Sequence, residues 1–513
     1  MDRGLPRGSE PDKGPFWGAD HAQRPAQAEV GPPGPPGRDT QVGKLESELS
    51  VDIKDVVSGG FCVGCGGCAA VASQSIKMQR SDEQTYLPQL ADAAPEVLEA
   101  ANRVCPFSDA SRDETDLAQD LYEGRVDHRA ESAGYYQTLH AGHINDDAQV
   151  LGSSSGGLTS WFLLRLLEQG RIDGVIHVGS TGTQQPLYDF TVSESADEVL
   201  GRRKSQYYAV QFSDVIARIR GNGRRYAFVG VPCFVKSMRA LANEDAVLKS
   251  QLVWHVGLVC GHMKSGAFSQ AMADQLGVPP QQVGAVDFRV KDPEAPANAY
   301  SFGVRAAGQE AWKTRMSRTL LGGNWGHALF QLKACDYCDD IFAETADICF
   351  GDAWLPRFEA NWRGTNVVLC RTTEAAEIFA EAQDDITLET IDLADLEKTQ
   401  AGNFRHRREG LSYRLELDVA AGRMVPKKRV APGQFTLPAD RKKIVEIRRD
   451  MAARSHTAWL EARKSGDMPA FYREMQGYAD RMQAIYRRAE KGGLKNLVKR
   501  VIRKLVRTLR PAA

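Results

Sequence analysis

Phe61-Cys62-Val63-Gly64-Cys65-Gly66-Gly67-Cys68 sets three thiols at intervals of three, with glycine between them. Such a run wraps one side of a cubane iron–sulfur cluster, because each thiolate takes its own iron and glycine lets the backbone curl around it. The fourth ligand must come from elsewhere. Cys105, followed at once by Pro106, supplies it. Two C-x2-C steps and then Cys-Pro is a spacing rule of four-iron proteins, stretched here by a long insert. Zinc is the alternative, although its structural sites use cysteine pairs more often than an evenly spaced triplet.

A second set is spread more widely. Cys335-Asp336-Tyr337-Cys338 is one C-x2-C pair. Upstream, Arg225 to Gly277 has a βαβα rhythm: an apolar strand at 226–231, a turn at Pro232-Cys233, helical spacing from Phe234 to Leu241, a strand at 252–259 ending in Cys260, and a helix from Phe268 to Leu276. Alternation of this kind builds a parallel sheet, and ligands bind outside the carboxyl ends of its strands. Cys233 and Cys260 both stand at such ends, so neighbouring strands would bring them together. With Cys335 and Cys338 they complete four thiols. Cys349 is a rival ligand, but in a strand its side chain packs in the sheet, and Cys370 reads as core.

Two polar stretches are candidates for holding a ligand. Gly152-Ser153-Ser154-Ser155-Gly156-Gly157 opens directly into the apolar run from Leu158, which Gly170 ends, and a strand follows at 172–178. A Gly/Ser loop at a helix N-terminus offers free N–H groups to an anion; a turn with a helix cap is the plainer alternative. Gly201 to Tyr208 gathers Arg202, Arg203, Lys204, Ser205, Gln206 and Tyr207, and is otherwise a solvated charged turn. Residues 287–291 and 300–305 read as an inserted hairpin. In the first cysteine segment, Pro88 and Pro95 are expected to break the insert before a helix at 96–103.

The chain of 513 residues has 65 basic and 66 acidic side chains, which gives no general case for nucleic-acid binding. No apolar run is long enough to span a membrane, and the N-terminus lacks the apolar core of a signal peptide. Ten cysteines gathered in short motifs suit metal ligation in a reducing cytoplasm. Residues 1–48, rich in Gly, Pro and charge, are expected to be a disordered tail. Residues 491–510 carry eight basic residues, no acid, and leucine and valine at helical spacing. That is a basic amphipathic helix, suited either to weak contact with an anionic membrane's inner face or to docking on the protein's own body.

Taken in order, Cys62-x2-Cys65-x2-Cys68, Cys105-Pro106, Gly152 to Gly157, Lys204-Ser205-Gln206-Tyr207, Gly230-Val231-Pro232-Cys233, Gly257-Leu258-Val259-Cys260, Cys335-Asp336-Tyr337-Cys338 and Gly351-Asp352 resemble the β-subunit family of coenzyme F420 hydrogenases and dehydrogenases, over roughly residues 55 to 400. The resemblance implies a flavoprotein with FAD and two [4Fe–4S] clusters, reduced by ferredoxin or a deazaflavin. It makes Ser154, Ser155, Gly156, Gly157, Lys204, Ser205, Gln206 and Tyr207 the flavin contacts, with Lys204 favouring the reduced, anionic cofactor. Cys62, Cys65, Cys68 and Cys105 become the cluster where electrons arrive, and Cys233, Cys260, Cys335 and Cys338 the cluster beside the flavin. No Gly-x-Gly-x-x-Gly follows a strand, so a Rossmann-type dinucleotide site is not expected.

The expected fold is α/β: a ferredoxin-like iron–sulfur module at 49–125, an α/β flavin-binding domain with a partly parallel sheet at 130–400, and a helical C-terminal extension at 401–513. The expected function is electron transfer through the clusters and FAD to a small-molecule substrate. A non-catalytic electron-transfer subunit and a zinc-stabilised binding protein are the alternatives. No catalytic residue, substrate or oligomeric state is legible.

Overall fold

Four strands lie parallel at the centre of an eight-stranded sheet, and their carboxyl ends define one working edge. The computed structural model describes residues 50–382 and 384–508, with side chains through residue 489. The tail at 1–48 and the side chains of 491–510 lie outside the described residues. Two short hairpins come first, β1 (Lys77–Arg80) with β2 (Tyr86–Gln89) and β3 (His128–Ala130) with β4 (Gly134–Tyr136). Then follow β5 (Thr138–Ile144), β6 (Gly174–Ser180), β7 (Tyr188–Ser193), β8 (Tyr226–Gly230) and β9 (Leu252–Leu258). A separate three-stranded sheet holds β10 (Val283–Val290), β11 (Ser301–Ala306) and β12 (Trp312–Met316). The main sheet closes with β13 (Ile348–Asp352), β14 (Asn366–Cys370) and β15 (Ile386–Thr390), in the order β15-β5-β14-β13-β9-β8-β6-β7.

β6, β8, β9 and β13 pair in parallel. β14 runs against both β13 and β5, so β5 points the same way as the parallel four. The loops after β5, β8, β9 and β13 therefore rise from one edge. Every residue of β8 and of β14 is buried, as expected for strands covered on both faces. Alternation along β8 assigns the faces: Ala227 and Val229 join one core, Tyr226 and Phe228 the other. On the first face the helix Leu158–Glu168 seats Phe162 against Trp254, Phe350 and Phe379. On the second, the helix Pro232–Glu244 buries Phe234, Val235, Met238 and Leu241.

The sequence places the first cysteine segment apart from this sheet. The structure instead packs it on the helix Pro232–Glu244: a Cβ on Gly67 would stand 2.1 Å from Ser237 Oγ. The described residues from 50 onward form one compact unit. Pro88 does not break the insert but lies within β2, paired with Met78. Pro95 opens the helix Pro95–Val104, where its missing N–H costs nothing. The inserted hairpin gains a third strand, β12. The C-terminal region is helical, with long helices at Ala439–Ser465 and Met468–Thr508. Among the described residues no helix is long and apolar enough to cross a membrane.

Candidate functional site

The loop carrying the first thiols turns on two glycines, Gly64 at φ +72° and Gly66 at φ +88°. This left-handed backbone disfavours other residues, and a Cβ on Gly64 would also meet the Tyr86 carbonyl oxygen at 2.8 Å. The curl aims backbone donors at sulfur: Gly64 N–H donates to Cys62 Sγ (3.3 Å) and Gly67 N–H to Cys65 Sγ (3.5 Å). Cys105 joins them from the end of the helix Pro95–Val104. Cys65, Cys68 and Cys105 are buried and Cys62 half-buried. Burial, then repulsion from Cys105 and Cys65, pushes the Cys62 thiol up. Burial, then Cys65, pushes Cys105 up to about 12. Cys68 is raised by burial and then by the other three. Only as thiolates would these four need a shared cation, which bound iron would supply.

The second set forms at the edge of the parallel strands. β8 and β9 are neighbours, so Cys233 at the start of the helix Pro232–Glu244 and Cys260 just past β9 come together, and the 3-10 turn Lys333–Tyr337 brings Cys335 and Cys338 to them. Burial raises Cys233, followed by repulsion from Cys338, Cys260 and Cys335 and lastly from Cys65 of the first set. Cys260 rises to about 11, mainly by burial. Met263 N–H donates to Cys335 Sγ at 3.2 Å. Cys349 stays in the sheet, paired across from Gly257; its thiol responds to burial, Arg371 and Asp340, and to no other cysteine.

One helix joins the two sets. Cys233 and Ser237 stand one turn apart on the same face of Pro232–Glu244. Ser237 Oγ donates to Val104 O (3.0 Å) beside Cys105 and lies 3.6 Å from Cys65 Sγ. The residues present fit a cubane cluster at each set: four thiols and a backbone N–H donor to sulfur at both, with left-handed glycines where the chain must wrap at the first. Among the described residues no three His, Cys, Asp or Glu side chains converge closely enough to hold a single ion.

The Gly/Ser loop and the Lys204 stretch also meet: Ser205 N–H donates to Ser154 Oγ at 2.9 Å. Gly156 lies so close to β5 that a Cβ would stand 2.7 Å from Gly142 O, and Gly157, at φ +84°, begins the helix Leu158–Glu168. Two expected features are already occupied. Asn366 Oδ1 accepts the Leu158 N–H at 3.0 Å, so the helix start is less open to an anion than the sequence suggests. Lys204 is paired with Asp287 at 3.0 Å, which balances its charge. Ser155 donates to Thr365 O (3.3 Å), Tyr207 packs edge-on to Trp325, and buried Gln206 Oε1 has no partner. Ser154, Ser155, Arg289 and Lys291 line a cleft of only about 10 Å³, far below the roughly 300–1,000 Å³ of ordinary ligand pockets. That cleft by itself is too small for a flavin dinucleotide.

Sequence reasoning missed Ser237 and Arg407. Ser237 carried a signal, four residues after Cys233 in a helical run. Arg407 carried none: it lies in a charged stretch far from any cysteine, yet it donates to Cys338 Sγ.

Comparison with known proteins decides the family. The N-terminal part of the coenzyme F420 hydrogenase/dehydrogenase β subunit matches residues 139–217, and its C-terminal part matches residues 223–395. The chain belongs to this β-subunit family. The family match takes in Cys233, Cys260, Cys335 and Cys338 and leaves the first cysteine set outside. The chain is similar to the coenzyme F420-dependent sulfite reductase of Methanocaldococcus jannaschii, 23% identical over 440 residues, covering 78% of this chain and 61% of that protein. It is also similar to one subunit of the F(420)H(2) dehydrogenase of Methanosarcina mazei, 26% identical over 219 residues, 40% of this chain and 55% of that one. The chain thus spans less than two thirds of either relative. A chain in the F420-reducing [NiFe] hydrogenase complex from Methanosarcina barkeri aligns over 58% of this chain and 98% of its own length, with a TM-score of 0.45 and 18% identity.

Proposed function

We propose that this β-subunit relative is an iron–sulfur oxidoreductase that carries electrons between a coenzyme F420-type deazaflavin or a ferredoxin and a small-molecule substrate. The observation that carries the reading is the helix Pro232–Glu244, which presents Cys233 of one thiol set and holds Ser237 against Cys65 of the other. Cys62, Cys65, Cys68 and Cys105 would hold one [4Fe–4S] cluster, and Cys233, Cys260, Cys335 and Cys338 a second. Clusters in these places supply single-electron transfer. The chain's own part is to keep water from the thiols, to donate N–H groups from Gly64, Gly67 and Met263 to sulfur, and to fix the separation of the two sets through the contact between Ser237 and Val104.

Flavin is the expected two-electron partner at this sheet edge. The meeting of Ser154 with Ser205 supports the place, and the small cleft there would have to open to receive FAD. A second reading, an electron-transfer subunit without its own substrate, is favoured by the relative that is itself named as a subunit. Turnover by the isolated chain separates the two.

The first test is composition. Full-length protein purified without oxygen should be brown, with about eight irons for two cubane clusters and bound flavin. Stoichiometric zinc in colourless protein would end the reading. Electron order is tested by Cys65→Ser, which should stop ferredoxin from reducing the second cluster while dithionite still reduces it.

A further inference from the structure

Beyond the residues matched to the family, the chain folds back onto the second cysteine set. The short helix Ala401–Phe404 passes through a π-helical turn, Arg405–Glu409, into the helix Gly410–Ala420. Such turns exchange regular helical hydrogen bonds for i→i+5 bonds and are frequent at functional sites. Here the turn carries Arg407, 3% exposed. Its Nη2 donates to Cys338 Sγ, its Nη1 to the Cys260 carbonyl oxygen, and its Nε to the Cys338 carbonyl oxygen at 3.3 Å. One guanidinium thus grips two of the four ligand-bearing residues. The same segment braces the turn between Cys335 and Cys338: Arg414 donates to Asp336 O (3.0 Å) and Tyr337 OH to Asp418 (2.6 Å). A guanidinium keeps its charge throughout the ordinary pH range.

The first set has no equivalent among the described residues. Its nearby buried cation, Lys236, is spent on the Pro106 carbonyl oxygen (3.3 Å) and on Glu114 (3.4 Å).

We propose that Arg407 is a positioning residue for the second cluster: it fixes the Cys338 thiolate and, as a buried cation on ligand sulfur, raises that cluster's reduction potential above that of the first. This rests on the reading that the second set holds a [4Fe–4S] cluster. Reduction adds one electron and makes or breaks no bond, so the added negative charge is stabilised by a fixed positive one in a low dielectric. Electrons supplied at the first set by a low-potential donor then run downhill to the second.

The test uses full-length protein purified without oxygen, with iron counted and both clusters titrated by electron paramagnetic resonance. Cys335→Ser first shows which signal belongs to the second set. Arg407→Gln should keep both clusters and move the second-set midpoint to more negative potential, with the first-set midpoint unmoved. Arg407→Lys, which keeps the charge but loses the planar fork, should recover part of that shift. If the Gln variant cannot hold its second cluster, the Lys variant carries the test, and its midpoint should still lie below that of the unmutated protein. Unmoved midpoints in variants that retain both clusters would overturn the proposal. So would both midpoints moving together, or loss of the second cluster from both variants. Unmutated protein with about four irons, the content of one cubane, would refute the underlying reading before Arg407 is changed.

Discussion

The two thiol sets are built in opposite ways. The first is nearly local: three cysteines from one glycine-rich turn and a fourth from the end of a nearby helix, all preceding the sheet. The second is assembled from three separate loops, two at the ends of neighbouring parallel strands and one in a 3-10 turn, and is closed by an arginine from beyond residue 400. The first takes its donors to sulfur from its own turn, while the second takes a backbone N–H from the loop after β9 and a full charge from the C-terminal segment. A local set depends on backbone conformation at a few glycines. A dispersed set depends on the whole sheet being formed.

The largest expected effect comes from removing one thiol of the dispersed set. Cys335→Ser should lower iron from about eight to about four per chain, because a closed site that loses one thiolate loses its metal. Cys349→Ser should leave iron unchanged; there the loss is one of stability, about 1–3 kcal/mol for a buried hydroxyl without a good partner. Iron halved by Cys349→Ser and untouched by Cys335→Ser would replace the fourth ligand of the second set.

Gly64→Ala should act on the local set alone. The left-handed backbone costs roughly 1–2 kcal/mol for any residue with a Cβ, and the Tyr86 carbonyl stands in the way. Iron should fall toward the content of one cluster while the second-set signal persists, and the thermal midpoint should drop. An equal loss of both signals would mean that the two sets fold as one site rather than as a local and a dispersed one.

Ser237→Ala is the mildest change. It removes the hydroxyl that donates to Val104 O and should cost about 1 kcal/mol in denaturant unfolding, with both clusters retained. Reduction of the second cluster through the first should slow, as seen in stopped-flow absorbance. An unchanged transfer rate would confine Ser237 to packing.

The sequence alone suggested two groups of four thiols, because cysteine spacing in a turn is a local property and a C-x2-C step reads the same before and after folding. It was also enough to mark Cys233 and Cys260 as partners, since βαβα alternation predicts neighbouring parallel strands, and to keep Cys349 in the sheet. Tertiary structure decided what depends on distant residues. It set the first segment against the helix Pro232–Glu244, because the shape of Gly67 against Ser237 is not written in either stretch. It gave Lys204 to Asp287 and the Leu158 N–H to Asn366, pairings across 83 and 208 residues that reduce the charge and the free donors which the local motif promised. It brought Arg407 to Cys338 through a π-helical turn with no periodic signature. Spacing along the chain fixes which groups can act together within a turn; only packing fixes which charges remain unbalanced at the site, and those charges set the chemistry.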